Sequence, residues 1–403
     1  MSHIVIIGAG QAGAALAAKL RALDFDGSIT MIGEEPSPPY QRPPLSKKYL
    51  LGDMALERLY LRPPEFYAEN GITLRLSDTA VAIDRADRAV IAGGEAIGYD
   101  QLALTTGAVP RRLPGAIGGA LGGVHVVRTL ADVDAMAPAF RPGAKVLIVG
   151  GGYIGLEAAA VAATLGLHVT LIEAAPRILQ RVAAPQTADY FRDLHRAHGV
   201  DLREGTALTR LLGSDHVTGA ELSDGTVLDL DFVIAGIGVT PATELAQAAG
   251  LTTEMGIAVD DRGQTSDPHI WAAGDCTSLP FRGRRIRLES VQNAIDQAEA
   301  VAENMRGADR PYVPQPWFWS DQYDVKLQIA GLNTGHDRVV VRPGDRPGSA
   351  SHWYFAADTL LAVDAMNDPR AYMIGKRLIE AGRSPDAAAL ADPATDLKGL
   401  LTA

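Results

Sequence analysis

The sequence has almost no cysteine: Cys276 stands alone in 403 residues. No intramolecular disulfide can form and no pair of thiols can cycle between oxidised and reduced states, which excludes a disulfide scaffold and any dithiol catalyst. Positive charge is also short, with 37 Lys+Arg against 48 Asp+Glu and a net charge of −11. That balance argues against nucleic acid or an anionic membrane as the main partner. Long apolar runs are missing too. The best, Val146–Ile172, is interrupted by Glu157, His168 and many glycines, whereas a membrane span needs about 20 nearly uncharged residues. None of the nine histidines falls into a His-x-x-x-His or mixed Cys/His spacing, so no metal site is expected. The first strand-like run, Ile4–Ile7, begins almost at Met1. No basic start, apolar stretch and cleavage site precede it, and a cytoplasmic location is expected.

Glycine is plentiful, at 42 residues, and its placement carries the organisation. His3-Ile-Val-Ile-Ile-Gly8-Ala-Gly10-Gln-Ala-Gly13 leads into an Ala/Leu-rich stretch and then Ser28–Glu34. Lys145-Val-Leu-Ile-Val-Gly150-Gly-Gly152-Tyr-Ile-Gly155 leads into Leu156–Leu165 and then His168–Glu173. Each copy is an apolar run, a Gly-rich turn, a helical pattern and a second apolar run ending in an acid: a βαβ unit written twice. Leu102–Gly107, Phe232–Gly238 and Ile270–Asp275 read as further strand-to-glycine segments. Pro36–Pro44 reads as a loop entering a short helix over Leu45–Leu51, and Val291–Met305 as a helix. After Pro311 aromatics cluster, strand-like runs follow, and a helical stretch covers Arg370–Ala381, which predicts a separate α+β domain.

The chemistry follows from the glycines. In such a fingerprint the first allows the tight turn, the second lets backbone approach a pyrophosphate, and the third lets helix pack on strand. The helix N-terminus offers N–H groups to phosphate. The distal acid accepts from ribose hydroxyls. Glu34 lies 21 residues after Gly13 and Glu173 lies 18 after Gly155, close to the spacing of about 20 that this role needs. Two complete fingerprints predict two dinucleotides, and the useful pair is one that gives hydride and one that holds it: nicotinamide and flavin. Pro36–Lys47, Gly274-Asp275 and Trp319 are extra elements beside the first unit, which points to the flavin there.

Several stretches are more specific: Arg42-Pro-Pro-Leu-Ser-Lys47, Thr106-Gly-Ala-Val-Pro-Arg111, Val149-Gly-Gly-Gly-Tyr-Ile-Gly-Leu-Glu157, Ala273-Gly-Asp275, Glu289-Ser-Val291, Trp317-Phe-Trp-Ser-Asp-Gln322 and Ala391-Asp-Pro-Ala-Thr-Asp-Leu397. In these the chain resembles, almost end to end, the FAD-dependent, NADH-linked ferredoxin reductases of bacterial oxygenase systems. The resemblance implies an α/β fold with two Rossmann-like dinucleotide-binding domains plus a C-terminal α+β domain, a glutathione-reductase-like architecture. Residues 1–109 and 239–313 would bind FAD, 110–238 NAD, and 314–403 would form the C-terminal domain. It places Gly8, Gly10, Ala12 and Gly13 on the FAD pyrophosphate and Glu34 on its ribose. Arg42, Lys47 and Arg128 lie near the FAD, Val81 at its adenine through the backbone, Asp275 on the ribityl chain, and Val291 and Trp319 beside the ring. For NADH it implies Gly150, Gly152, Tyr153, Ile154 and Gly155 at the pyrophosphate. Glu173 and Arg181 would take the adenosine end, and Gly238 and Glu289 the nicotinamide end. Lys47 and Glu157 resemble a pair close to the hydride-accepting nitrogen, so that no ordinary acid or base is needed.

The activity implied is hydride transfer from NADH to FAD, then single electrons to a two-iron two-sulfur ferredoxin that feeds a haem monooxygenase or ring-hydroxylating dioxygenase. A rubredoxin acceptor is an alternative within the enzyme class. A flavin-based redox sensor resembling apoptosis-inducing factor is one outside it. The loop Tyr40–Ser46 lacks the cysteine that related thiol-dependent enzymes carry there, and Cys276 reads as a buried spacer. Arg282, Arg284, Arg285 and Arg287 form the densest basic run, a candidate patch for an acidic ferredoxin.

Overall fold

In the computed structural model, which describes residues 2–401, the chain forms two compact units. Of the described residues, one comprises 2–42, 55–109 and 239–316, the other 43–54, 110–238 and 317–401.

The first unit is built on a parallel sheet whose central strand is His3–Ile7. Ser28–Gly33 and then Ile72–Leu76 lie on one side of it, Gln101–Leu104 and then Ile270–Ala272 on the other. The central strand is buried along nearly its whole length, which is why it reads as a continuous apolar run rather than an alternating one. The helix Gln11–Ala22 turns Ala12, Leu16, Ala17 and Leu20 to the sheet. There they join Ile4, Ile6, Ile29 and Met31 and the helix Val291–Met305 through Ala298, Val301 and Met305. An ion pair from Lys19 Nζ to Glu303 Oε1, 2.8 Å, ties the two helices at their edge.

The second unit repeats the plan. Lys145–Val149 is the central strand. His168–Glu173 and Asp201–Glu204 flank it on one side, Phe232–Ala235 and Val124–His125 on the other. Its helix, Tyr153–Thr164, is buried from Gly155 to Ala162, and Glu157 is the one charge in it.

The C-terminal segment is a five-stranded antiparallel sheet, Trp317–Gln322, Val325–Gly331, Thr359–Met366, Ala350–Ala356 and Arg338–Pro343 in spatial order, covered by the helix Pro369–Glu380. Gly375 lets that helix approach: a Cβ there would sit 2.5 Å from Val363. The Ala391–Leu397 tail has its own anchor. The buried Arg342 guanidinium donates to the carbonyls of Leu390, Asp392, Pro393 and Thr395, so this charge is satisfied by four backbone oxygens.

These units differ from the expected division in two places. Residues 43–54 pack with the second unit, because Lys47 pairs with Glu157 and the Tyr49 hydroxyl donates to Asp134. Residues 317–401 group with 110–238 because the segments share a polar core: Thr187 bonds His352, Tyr354 and Asp364. The Leu45–Leu51 helix is a single wide turn, Leu45–Tyr49, whose backbone leaves helical geometry at Lys47.

Candidate functional site

The first fingerprint shows a division of labour among its glycines. Gly8 has φ +114°, and a Cβ there would sit 2.2 Å from the Thr105 carbonyl oxygen; one on Gly13 would sit 2.1 Å from that of Gly8. Both are glycine because the protein's own backbone occupies the space. Gly10, which caps the helix Gln11–Ala22 with no side-chain bond, has nothing within 4 Å of its Cβ position. No side chain caps the N–H groups of that helix start.

The second fingerprint repeats this pattern with different neighbours. Gly150, φ +111°, would meet the Gly236 carbonyl at 2.5 Å, Gly155 that of Gly150 at 2.1 Å, and Gly152 meets nothing within 4 Å. Two cradles, each closed by packing at its first and third glycine and open at its second, fit two pyrophosphates.

The acids differ. Glu34 is exposed, and no hydrogen bond to its carboxylate occurs among the described residues. Glu173 accepts from the N–H of Gly151 and of Ala175, 2.8 Å each, so it shapes its own loop. Each of its oxygens keeps a second lone pair for a ribose hydroxyl.

Lys47 and Glu157 do meet. Lys47 Nζ lies 2.9 Å from Glu157 Oε1, with both side chains largely buried, and 4.0 Å from Asp321. Ser46 Oγ donates to Glu157 Oε2 at 3.0 Å and Ser320 Oγ to Oε1 at 2.7 Å. Burial pushes the Glu157 carboxyl above its usual range, while the Lys47 charge and these bonds pull it back.

Residues 2–298 match the family described as pyridine nucleotide-disulphide oxidoreductase, and 317–401 the one described as reductase C-terminal. A ferredoxin–NAD(P)(+) reductase of a Sphingomonas species is 44% identical over 405 residues, 99% of this chain and 97% of that protein. Putidaredoxin reductase of Pseudomonas putida is 40% identical over 409 residues, 100% of this chain and 97% of that protein. The crystal structure of the covalent putidaredoxin reductase–putidaredoxin complex superposes with a TM-score of 0.96 at 40% identity, covering 100% of this chain and 98% of that one. The chain belongs to the bacterial ferredoxin reductases of oxygenase systems. It is therefore an NAD(P)H-driven oxidoreductase, and the family implies FAD and NAD(P)H.

The remaining candidate residues of this ferredoxin reductase fall as follows. Val81 is 65% exposed and sits at a bulge between the paired Ala80 and Ala82, which turns its backbone away from regular pairing. Arg42 is held by Glu35, at 2.6 Å, and by the Tyr40 hydroxyl, which itself donates to Glu35. Glu35 went unnoticed beside Glu34, yet it is the residue that aims Arg42. Asp275 follows Gly274, φ +85°, whose N–H donates to the buried Gln297 side chain at 2.9 Å; Gln297 was also missed, since one amide in a helix carries no sequence signal. Val291 opens its helix behind the Ser290 cap. The Trp319 ring lies tilted, 5.5 Å from that of Trp317, and Trp317 packs on the C-terminal core. Arg128 precedes the Thr129 cap of the helix Leu130–Met136.

Tyr153 turns its side chain inward, with its ring 4.9 Å from that of Phe318 and its hydroxyl buried without a hydrogen-bond partner among the described residues, which leaves its backbone to face a pyrophosphate. Ile154 is the exposed side chain there. Arg181 and Gly238, assigned to opposite ends of the nucleotide, are neighbours: a Gly238 Cβ would lie 3.4 Å from the Arg181 guanidinium. Glu289 is paired with Arg287. The basic run is reduced by its own fold, since Arg285 donates to the Val259 and Ser278 carbonyls and Arg287 to that of Met255. Arg282 and Arg284, at a hairpin tip, are exposed. Cys276 is fully buried, and burial raises its thiol pKa, which disfavours the thiolate. Among the described residues no helix is long and apolar enough to cross a membrane, and no group of three or more His, Cys, Asp or Glu is placed to hold a metal.

Proposed function

We propose that residues 1–109 and 239–313 hold FAD, that 110–238 hold NADH, and that the protein passes electrons from NADH one at a time to a two-iron two-sulfur ferredoxin serving an oxygenase. One observation carries this reading. Two cradles with open central glycines stand in a chain whose single thiol is sealed away, so electrons have no internal dithiol to reach and must leave for an external acceptor. FAD, when bound, supplies a centre that accepts two electrons together and releases them singly.

The chain's own residues would then bind and orient. The N–H groups around Gly10 and Gly152 take the pyrophosphates, Glu34 an adenosine ribose, and Glu35 holds Arg42 in place. Lys47, compensated by Glu157, presents a fixed positive charge that favours negative charge on the reduced ring. The assignment of Lys47, Arg128 and Trp319 to the flavin rests on the resemblance. Glu173 favours NADH, because its carboxylate repels a 2′-phosphate.

The test is NADH-driven cytochrome c reduction by the purified protein, with and without a two-iron ferredoxin, repeated with NADPH. A strong ferredoxin-dependent rate with NADH and a rate at least tenfold lower with NADPH is the expected result. Stimulation by a rubredoxin alone would replace the proposed acceptor. Slow flavin reduction with no stimulation by any ferredoxin or rubredoxin would favour a sensor.

A further inference from the structure

Glu157 ends a longer line of buried polar groups within the second unit. Ser320 Oγ, which donates to Glu157, accepts from Gln322 Nε2 at 3.2 Å. Gln322 Oε1 lies 2.8 Å from His195 Nε2, and His195 Nδ1 lies 3.1 Å from the Tyr323 hydroxyl. Ser320, Gln322 and His195 are at most 1% exposed.

The direction of every bond follows from the end. A carboxylate only accepts, so Ser320 must donate its one proton to Glu157. Its oxygen must then accept, so Gln322 offers its amide N–H and keeps its oxygen for His195. His195 therefore carries its proton on Nε2, and its bare Nδ1 takes the Tyr323 proton. Burial lowers the His195 pKa to about 4 and raises that of Tyr323, so both stay neutral near pH 7 and the order is not scrambled. Every donor points toward Glu157, and aligned bonds of this kind polarise one another. Tyr323 is held at φ +54°, which an aromatic residue rarely adopts, with its ring stacked on that of His198 at 3.7 Å.

We propose that Tyr323, His195, Gln322 and Ser320 are positioning residues, a one-way hydrogen-bond chain that keeps Glu157 ionised and thereby fixes the charge and aim of Lys47. The proposal rests on the reading that the Lys47–Glu157 pair serves the flavin. Break the chain, and Glu157 loses a bond that offsets its burial, so its carboxyl moves toward protonation and the charge that balances Lys47 weakens. The groups facing Glu157 are Lys47, Ser46 and Ser320, with Asp321 beyond Lys47; His198 and Tyr323 face His195.

The experiment uses the full-length protein. Infrared spectra with isotope-labelled glutamate, taken without flavin or NADH, are expected to show no protonated buried carboxyl at pH 7.5 in the parent. Ser320→Ala and Gln322→Met should each show one, and Ser320→Thr, which keeps the hydroxyl, should not. In the flavin-loaded protein the first two should add a new inflection between pH 6 and 9 to NADH-driven flavin reduction, with a fall of about tenfold at its low end. Nitrogen NMR of the parent should find His195 as the Nε2–H tautomer, untitrated down to pH 5. A Nδ1–H tautomer, a titrating His195, or variants with neither a protonated carboxyl nor an altered pH profile would overturn the proposal. The tautomer needs no variant to fold. Neither spectrum needs electron transfer, so a parent that NADH does not reduce would sink the functional reading and leave this one to its own measurements.

Discussion

The two βαβ regions share a sheet order, a glycine pattern and even the clashes that fix their first and third glycines, yet they use the distal acid differently. In the first, Thr105 secures the turn, its hydroxyl within hydrogen-bond distance of the carbonyls of Ile7 and Gly8, and Glu34 is left over for a ligand. In the second, Gly236 stands near the first glycine, and Glu173 steadies the loop by accepting from Gly151 and Ala175. The same motif thus yields an acid that waits and an acid that already works. Spacing alone cannot distinguish them, because the difference lies in what the neighbouring strand offers.

The largest test of this comparison lies in the glycines. Gly13→Ala and Gly155→Ala place a Cβ 2.1 Å from a backbone oxygen. Each should cost about 3 kcal/mol or more in urea unfolding and abolish binding in its own region. Gly10→Ala and Gly152→Ala meet no atom within 4 Å and should shift unfolding by less than about 0.5 kcal/mol. They should still weaken flavin retention and NADH binding, respectively, by tenfold or more. Normal NADH binding by Gly152→Ala would mean the nucleotide lies elsewhere.

A second difference is acid sensitivity, which two buried histidines add to in the second unit. His195 and His352 are each lowered by burial to about 4. Between the ordinary histidine pKa near 6.5 and 4, the unfolded chain binds more protons than the native one. Each histidine therefore contributes stability that is present above pH 6.5 and lost on acidification, about 3 kcal/mol apiece. Asp364 runs the other way. Burial raises it to about 6, so its contribution is present below pH 3.8 and lost as pH rises through 6. Asp364→Asn, which keeps an oxygen for Tyr354 and Thr187, should stabilise the protein at pH 7.5 by about 1–3 kcal/mol and steepen the acid loss. A urea midpoint unchanged at pH 7.5 would show that Asp364 carries no such penalty.

Smaller effects separate the acids themselves. Glu173→Gln should raise the KM for NADH about tenfold and narrow the preference over NADPH, because it loosens the loop and removes the repelling charge. Glu34→Gln should speed flavin loss a few-fold while leaving unfolding unchanged. Equal effects of the two on unfolding would erase the distinction. Smallest of all, Arg284→Glu should weaken ferredoxin binding a few-fold at low salt and not at high salt. Arg285→Ala should act on stability instead, since its guanidinium is spent on two carbonyls.

Much of this was legible because it is local. The helix Val291–Met305 lies where its pattern predicts, and the Gly-rich turns sit between buried apolar strands. Glu157 announces itself as a lone charge in an apolar helix. What escaped depends on distant partners. Ser320, Gln322 and His195 are ordinary residues in sequence, and only the packing of the C-terminal sheet with the second unit's helices sets them in line behind Glu157. The inward turn of the Tyr153 ring toward Phe318 is hidden for the same reason.

By itself the sequence determined two glycine-rich βαβ turns, the lack of a thiol pair and the kinship with ferredoxin reductases, since glycine sterics, one cysteine and contiguous motifs act over a few residues. Only the tertiary structure decided which acid stays free, which arginines remain exposed, and how Glu157 is held. Those outcomes depend on which buried donor finds which acceptor, and a buried polar group takes whatever partner the fold brings within about 3 Å.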